Sequence, residues 1–197
     1  MATLIIRPTS SLITSPDYQH WSNSRVPSVG VDSGWQLVDE VTADEDTTYF
    51  QCATTTHSFE FFGMGSTGAT SGIITNVRLY FRCKHATATG YSRAIVGTLP
   101  TAGNYSYGAN KTSTTSYQTF TEDFAVNPRT GVAWVWADFV NYYFGVEGWA
   151  SAIKSNNRCT QFYVEITYTE PPTGLGINGM VATKINGLTP TAFNGLS

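Results

Sequence analysis

The sequence predicts an all-β fold, an antiparallel β-sandwich, from three observations. Two segments alternate strictly between apolar and polar residues, weaker strand-like segments occur along the rest of the chain, and Gly-, Ser-, Thr- and Asp-rich connectors separate them. Because successive side chains of a strand point to opposite faces, strict alternation indicates a strand with one buried face. Many short strands at this spacing favour two packed sheets, and a jelly roll of about eight strands is the expected architecture.

The two alternating segments, ITNVRLYFRC and TQFYVEITY, supply the expected core. Their apolar faces consist of Val77, Leu79, Phe81 and Cys83 in the first and of Phe162, Val164, Ile166 and Tyr168 in the second. Weaker strand-like segments are TLIIR, GWQLV, TTYFQC, HSFEFF, YSRAIVG and SYQTFTEDF. The segment WVWADFVNYYF follows the turn NPRTG and fits neither period well, so one short helix is expected there.

The chain divides into a body and an arm. Pro171 and Pro172 follow the last alternating segment, and proline cannot donate a ladder hydrogen bond and favours an extended connection. We therefore expect a jelly-roll-like body over residues 1–170 and an extended C-terminal arm over residues 171–197.

The composition favours a protein that works by packing. The 197 residues are 41% hydrophobic and 14% aromatic, which suffices for a large core, whereas only 13% are charged, about half the usual share. A surface completed with Ser, Thr, Asn and Gly suits close-packed assemblies. With a net charge of −3 and no basic run, the sequence lacks the electrostatic footprint of a nucleic-acid partner.

Membrane insertion, secretion and disulfides are not expected. No run approaches the roughly 18 apolar residues of a membrane span, and the N-terminus MATLIIRPTS lacks the pattern of a secretory signal. Cys52, Cys83 and Cys159 are an odd set without a CxxC pair, each in a strand-like segment, so buried free thiols are favoured. A cytoplasm is the expected place of folding.

The arm carries a regular period. An apolar residue followed by Asn-Gly, a strong turn signal, occurs at Ile177, Ile185 and Phe193, eight residues apart each time. So few short repeats cannot bury their apolar side chains alone, so other chains or the body must cover them. The predicted oligomer or partner interface consists of Ile177, Gly179, Met180, Ile185, Gly187, Leu188, Phe193, Gly195 and Leu196.

This repeat resembles the apolar-x-Gly octapeptide of the trimeric, intertwined β-helix in needle and spike proteins of contractile phage tails. The resemblance covers residues 177–197 and implies that three chains each contribute one face per octad, with apolar residues along the axis. The sequence departs from that family in its shortness and in Phe193. The alternative is a tail strand that lies in a groove of an adjacent subunit.

The body carries a second resemblance, on the segments VDEVTADEDTTYF, ITNVRLYFRCK, NPRTGVAWVWADFV and RCTQFYVEITY. These segments are similar to jelly-roll-type structural domains of many tailed-phage virion proteins. The resemblance implies a structural role, and no catalytic residues accompany it.

Candidate sites for chemistry lack a complete motif. The dense carboxylate cluster consists of Asp39, Glu40, Asp44, Glu45 and Asp46. Such a cluster indicates a Ca²⁺ loop or, as the favoured interpretation, turn formers that accept hydrogen bonds from backbone amides. His20, His57 and His85 are isolated. A carboxylate pair for glycoside cleavage needs no local motif, and the minor candidates for it are Asp39, Glu60, Glu122, Asp138 and Glu165. We expect no enzyme activity, no cofactor and no metal.

Together these features predict a structural component of a bacteriophage particle, assembled in the host cytoplasm. It would decorate or cement the capsid, or form a head or tail appendage, as a homotrimer in contact with other virion proteins such as major capsid or tail proteins. The alternative is a glycan-binding adhesion module on a tail fibre, with Trp134, Trp136 and Trp149 stacking on sugar rings. Core and interface roles are the favoured interpretation of these aromatic residues.

Overall fold

The computed structural model describes residues 1–11, 24–26, 31–52, 57–68, 71–86, 89–98, 105–149, 157–170, 175–177 and 180–182. Its strands are β1 (Ala2–Ile6), β2 (Pro8–Ser11), β3 (Ser24–Val26), β4 (Tyr49–Cys52), β5 (Ser58–Met64), β6 (Ile73–His85), β7 (Gly90–Gly97), β8 (Tyr105–Tyr107), β9 (Lys111–Ser113), β10 (Gln118–Phe124), β11 (Tyr143–Trp149), β12 (Asn157–Thr169), β13 (Leu175–Ile177) and β14 (Met180–Ala182). A 3-10 helix spans Val31–Leu37, and helix α1 spans Asp138–Asn141.

Two antiparallel sheets pack face to face. Sheet A has the order β10-β6-β12-β4-β3, with β1 also paired to β12, and sheet B has the order β2-β5-β11-β7-β8, with β9 also paired to β7. From β4 to β12 the chain crosses between the sheets at every connection except those from β7 to β8 and from β8 to β9. The rows β4-β12-β6-β10 and β5-β11-β7-β8 therefore have the arrangement of a jelly roll. The predicted all-β sandwich is confirmed.

The central pair of sheet A, β6 and β12, contains the two alternating segments. Phe81 is opposite Phe162, and Phe62 of sheet B contacts Phe162 across the sandwich with 5.1 Å between ring centroids. The predicted core residues Val77, Leu79, Phe81, Cys83, Phe162, Val164 and Ile166 are buried, and Tyr168 packs against them. Truncating one such phenylalanine to alanine costs about 3 kcal/mol or more, so these rings hold the sheets together.

Most of the weaker segments are strands, as predicted. TLIIR, TTYFQC, HSFEFF, YSRAIVG and SYQTFTEDF fall in β1, β4, β5, β7 and β10, and the short helix expected in WVWADFVNYYF is α1. The strand prediction for GWQLV is wrong, because this segment ends the 3-10 helix. Leu37 and Val38 are adjacent and both buried, which a helical turn allows and a strand with one buried face does not.

Two cysteines lie side by side in the core. Cys83 and Cys159 are cross-strand partners on β6 and β12, and both are buried free thiols, as predicted. Burial, and secondarily a hydrogen bond with Cys159, raises the pKa of the Cys83 thiol, which keeps it protonated at neutral pH. Cys52 is in β4, and its side chain lies outside the described part of the chain.

The arm contains a hairpin in which β13 and β14 pair with each other. Ile177 is opposite Met180, and the first Asn-Gly pair lies between these partners in the sequence, as the turn signal predicts. The remaining predicted interface residues are outside the described residues. They are Gly179, Ile185, Gly187, Leu188, Phe193, Gly195 and Leu196.

Candidate functional site

The candidate site is the outer face of sheet B, called the aromatic face. Val146 of β11 points into the core, so its neighbour Glu147 points outwards. Cross-strand pairing places Glu147 between Phe59 of β5 and Arg93 of β7. The side chains of the aromatic face are those of His57, Phe59, Phe61, Tyr91, Arg93, Tyr105, Tyr107, Glu147 and Trp149.

Glu147 is a fully buried carboxylate at the centre of this face. Its side chain is 0% exposed, Arg93 Nε donates a hydrogen bond to Oε2, and His57 Nδ1 lies 2.5 Å from Oε1. The Arg93 guanidinium also lies 3.3 Å from the centroid of the Tyr107 ring. A buried carboxylate is tolerated only when its oxygens are paired, and these contacts occupy both oxygens. The cluster therefore fixes side chains in place, and Glu147 offers no oxygen to a substrate.

Trp149 is the centre of a ring stack across three strands. The His57 ring lies 4.9 Å from it at an interplanar angle of 20°, and the Tyr91 ring lies 5.5 Å from it at 23°. Because His57 precedes β5 and Tyr91 belongs to β7, they flank β11 from opposite sides. Both flat faces of the indole thus meet protein rings, so Trp149 stabilises the sheet and has no open face for a sugar.

A second ring cluster extends the aromatic face towards β8. The Tyr105 ring lies 5.4 Å from Phe59, 6.0 Å from Phe61 and 5.0 Å from Tyr107. Tyr107 is 40% exposed, which leaves part of its ring to solvent. Burial, and secondarily the hydrogen bond to Tyr105, raises the pKa of Tyr107 well above its usual value, so the phenol stays neutral. The face therefore presents neutral rings around an internally paired charge cluster.

The two other tryptophans named as sugar-stacking candidates lie elsewhere. Trp134 is 3% exposed, and its Nε1 donates to the Phe124 carbonyl oxygen at 2.8 Å, so it is a core residue without a face for a ligand. Trp136 is half-buried, and its Nε1 donates to the Gly72 carbonyl oxygen at 3.0 Å. Its ring also meets Tyr168 edge-on at 5.1 Å, beside the end of β12. Trp136 borders a cavity.

This cavity has a volume of about 600 Å³ and is called the α1 pocket. One wall is the segment 63–68 at and after the end of β5, and the other is formed by Trp136, Phe139, Val140, Tyr142 and Tyr143 around α1. Its lining among the described residues contains no Asp, Glu, Lys, Arg or His. Such a pocket suits an uncharged, apolar occupant.

The acidic cluster lies beside the outer face of sheet A. Asp44 Oδ1 accepts hydrogen bonds from the Thr48 amide at 3.2 Å and from the Thr48 hydroxyl at 2.6 Å, which is the turn-forming role favoured from the sequence. Lys84 Nζ lies 2.6 Å from Asp46, and Arg158 Nη1 lies 2.8 Å from it. The hydrogen bond from Lys84, with a further one from Arg158, lowers the pKa of Asp46. Lys84 and Arg158 thus neutralise the negative charge of Asp46, which a bound Ca²⁺ would otherwise neutralise.

The other polar candidates are dispersed. Glu60 is buried on the inner side of sheet B, whereas Glu165 lies on the outer face of sheet A and Glu122 pairs with Lys111 at 2.8 Å. These carboxylates therefore do not share a cleft. No cluster of three or more His, Cys, Asp or Glu side chains suited to a metal occurs among the described residues. His57 is in the aromatic face, His85 is buried, and His20 lies outside the described residues.

Sequence reasoning missed the Arg93, Tyr107 and Glu147 cluster. The strand YFGVEGW was not recognised because both of its faces are buried, so it shows no alternation between apolar and polar residues. The available signal was a single glutamate in the otherwise uncharged run YFGVEGW, since a charge in such a run requires a partner nearby.

No model of a known protein family matches the chain, and no curated protein matches it in sequence. Among the described residues, no helix has the length and apolar character that crossing a membrane requires.

Proposed function

We propose that the protein is a non-catalytic structural component of a bacteriophage particle, which decorates or cements the capsid or forms a head or tail appendage. The aromatic face carries this proposal. Its rings, most of which are partly exposed, and Arg93 fixed among them match the composition of interface cores, in which Tyr, Trp, Phe and Arg are enriched. The jelly-roll body supports the proposal because this architecture is widespread in viral capsid proteins.

The aromatic face binds its partner through a large contact area and through side chains that are already held rigid. Its rings are held by the ion cluster and by stacking, so little side-chain freedom is lost when a partner covers them. A standard interface needs about 800 Å² from each partner. We assign the aromatic face to contact with another virion protein, such as a major capsid or tail protein, and the arm to contacts within a homotrimer.

Purified particles of the phage that encodes the protein provide the test. Quantitative mass spectrometry should detect it as a particle component, with hundreds of copies for a capsid cement or a dozen or fewer for a tail part. In a binding experiment with particles that lack the protein, Tyr107→Glu should reduce co-sedimentation about tenfold, because it introduces a charge at the interface. Thr121→Glu, on the exposed outer face of sheet A, is the matched control. Absence from particles, or equal binding of both variants, contradicts the proposal.

A second candidate is a glycan-binding adhesion module on a phage fibre. The solvent-exposed part of the Tyr107 ring favours it, because sugars stack on exposed aromatic rings. Jelly rolls also form lectin domains. Saturable binding on a glycan array that Tyr107→Ala abolishes would support adhesion. Binding that depends on Trp136 instead would move the site to the α1 pocket.

A further inference from the structure

The α1 pocket is an apolar surface that the proposed particle contacts do not use. Its walls are aromatic rings and a glycine-rich segment, and Val140 at its edge is 82% exposed. Val140 thus continues the apolar surface of the pocket to its rim, which enlarges the area that an apolar occupant can cover. The described lining carries no charged side chain that could pair with an ionic ligand.

The arm has the matching chemistry. Lys184 is the only Asp, Glu, Lys or Arg in residues 171–197, and Phe193 ends the octad series with an aromatic ring. An aromatic side chain gains most where it meets other rings edge-on or offset, and Trp136, Phe139 and Tyr142 supply such rings around the pocket.

The arm also leaves the body beside the pocket. β12 ends at Thr169, and the preceding Tyr168 contacts Trp136, which forms part of the pocket wall. In the hairpin, Leu175 is opposite Ala182 on the neighbouring strand, so Ala182 lies close to the start of the hairpin. From Ala182 to Phe193 a fully extended chain spans at most about 40 Å. This is about the diameter of a body of this size, so the arm can reach an adjacent subunit.

From these observations we infer that the α1 pocket receives Phe193 from the arm of a neighbouring copy of this chain. This inference rests on the proposed homo-oligomer. Pro171 and Pro172 favour an extended connection between the body and the arm, and the arm is the element assigned to contacts between chains, so a neighbouring copy supplies the occupant. An arm that leaves one pocket and fills the next is a head-to-tail contact, and such contacts form a ring, such as the proposed trimer, when the rotation between copies closes.

Disulfide trapping in the full-length chain tests this inference. In a Cys52→Ser background, Val140→Cys at the pocket edge is combined with Asn194→Cys beside the anchor. Oxidation should produce chains linked to one another on a non-reducing gel. Val41→Cys with Asn194→Cys is the control, because Val41 is 81% exposed yet lies beside Gln161, about 24 Å along β12 from Tyr168. We expect no linkage from the control pair.

The outcomes separate this inference from the proposed function. Linkage within a single chain, or no linkage in a protein that light scattering shows to be an oligomer, overturns the pocket assignment and leaves the oligomer intact. A monomer at all concentrations overturns both the proposed oligomer and the pocket assignment. As a second measurement, Phe193→Ala should raise the concentration at which the oligomer dissociates about tenfold or more, as loss of an aromatic anchor does. An unchanged concentration also overturns the inference.

Discussion

The two outer faces of the sandwich each contain an arginine opposite a carboxylate on the neighbouring strand. On sheet B, Arg93 is opposite Glu147, and on sheet A, Arg78 is opposite Asp123. The register and the chemistry are alike, but the surroundings are not. The side chains of the first pair are 18% and 0% exposed, and those of the second are 38% and 47% exposed. The same pair of charges is thus structural on one face and solvated on the other.

This difference extends over both faces. On sheet A, cations from β6 and β12 pair with the acidic cluster, as Arg82 does with Glu45 and Lys84 with Asp46. The carboxylates of these pairs are 47% and 58% exposed, so the pairs contribute little to stability. On sheet B, rings cover the charges and apolar atoms face outwards. This contrast is the reason to assign partner contacts to sheet B, and the following predictions test it.

The largest effect is expected from Glu147→Ala. This change leaves the Arg93 guanidinium without its partner in a largely buried position, and breaking a buried pair in this way costs about 4 kcal/mol. Chemical denaturation, followed by tryptophan fluorescence, measures the free energy of unfolding. The matched control is Asp123→Ala, which removes the exposed counterpart and should cost less than about 1 kcal/mol. Equal losses would show that the two faces do not differ in the way described.

Gly145→Ala should destabilise sheet B by about 3 kcal/mol, as overpacking does. A Cβ atom at this position of β11 would lie 2.0 Å from the Glu60 carbonyl oxygen, so β5 and β11 would have to separate. Gly131→Ala is the control, because its added Cβ meets no atom within 4 Å and only its φ of 73° opposes the change. That control should cost about 1 kcal/mol. Thermal unfolding of both variants measures their losses of stability. A larger loss in Gly131→Ala than in Gly145→Ala would contradict this prediction.

Replacing both partners should be milder than replacing one. In Arg93→Leu with Glu147→Leu, no unpaired charge remains buried, and apolar side chains can pack among the surrounding rings. We expect a loss of about 1 kcal/mol, well below that of Glu147→Ala alone. Denaturation of the single and double variants as a cycle measures the difference. A double variant as unstable as the single one would assign the loss to packing and not to the unpaired charge.

The smallest effect concerns pH and sheet A. Because Lys84 and Arg158 lower the pKa of Asp46 in the folded protein, Asp46 adds stability above its unfolded pKa of about 3.9 and loses it as pH falls through the lower folded value. Asp46→Asn should therefore lower the Tm at pH 7 by about 2 °C. The two Tm values should converge in acid below the folded pKa. A Tm difference that persists at that acidic pH would mean that the charge of Asp46 does not cause the difference.

The local sequence was sufficient to predict a strand wherever one face of the strand is exposed to solvent and the other face is buried. The alternation in β6 and β12 predicted which side chains are buried, since that period follows directly from strand geometry. It failed for GWQLV, where two adjacent apolar residues are buried by a helical turn. It also failed for β11, where both faces are covered and the pattern carries no period.

The sequence by itself determined the fold class, the main strands and the two buried thiols, because these depend on composition and on periods along a single segment. The tertiary structure alone decided which charges are buried and which tryptophans have a free face. Glu147 and Arg93 are 54 residues apart, and His57 is 90 residues from Glu147. Only the register of β5, β11 and β7 in one sheet brings them together, and that register depends on how the whole sandwich packs.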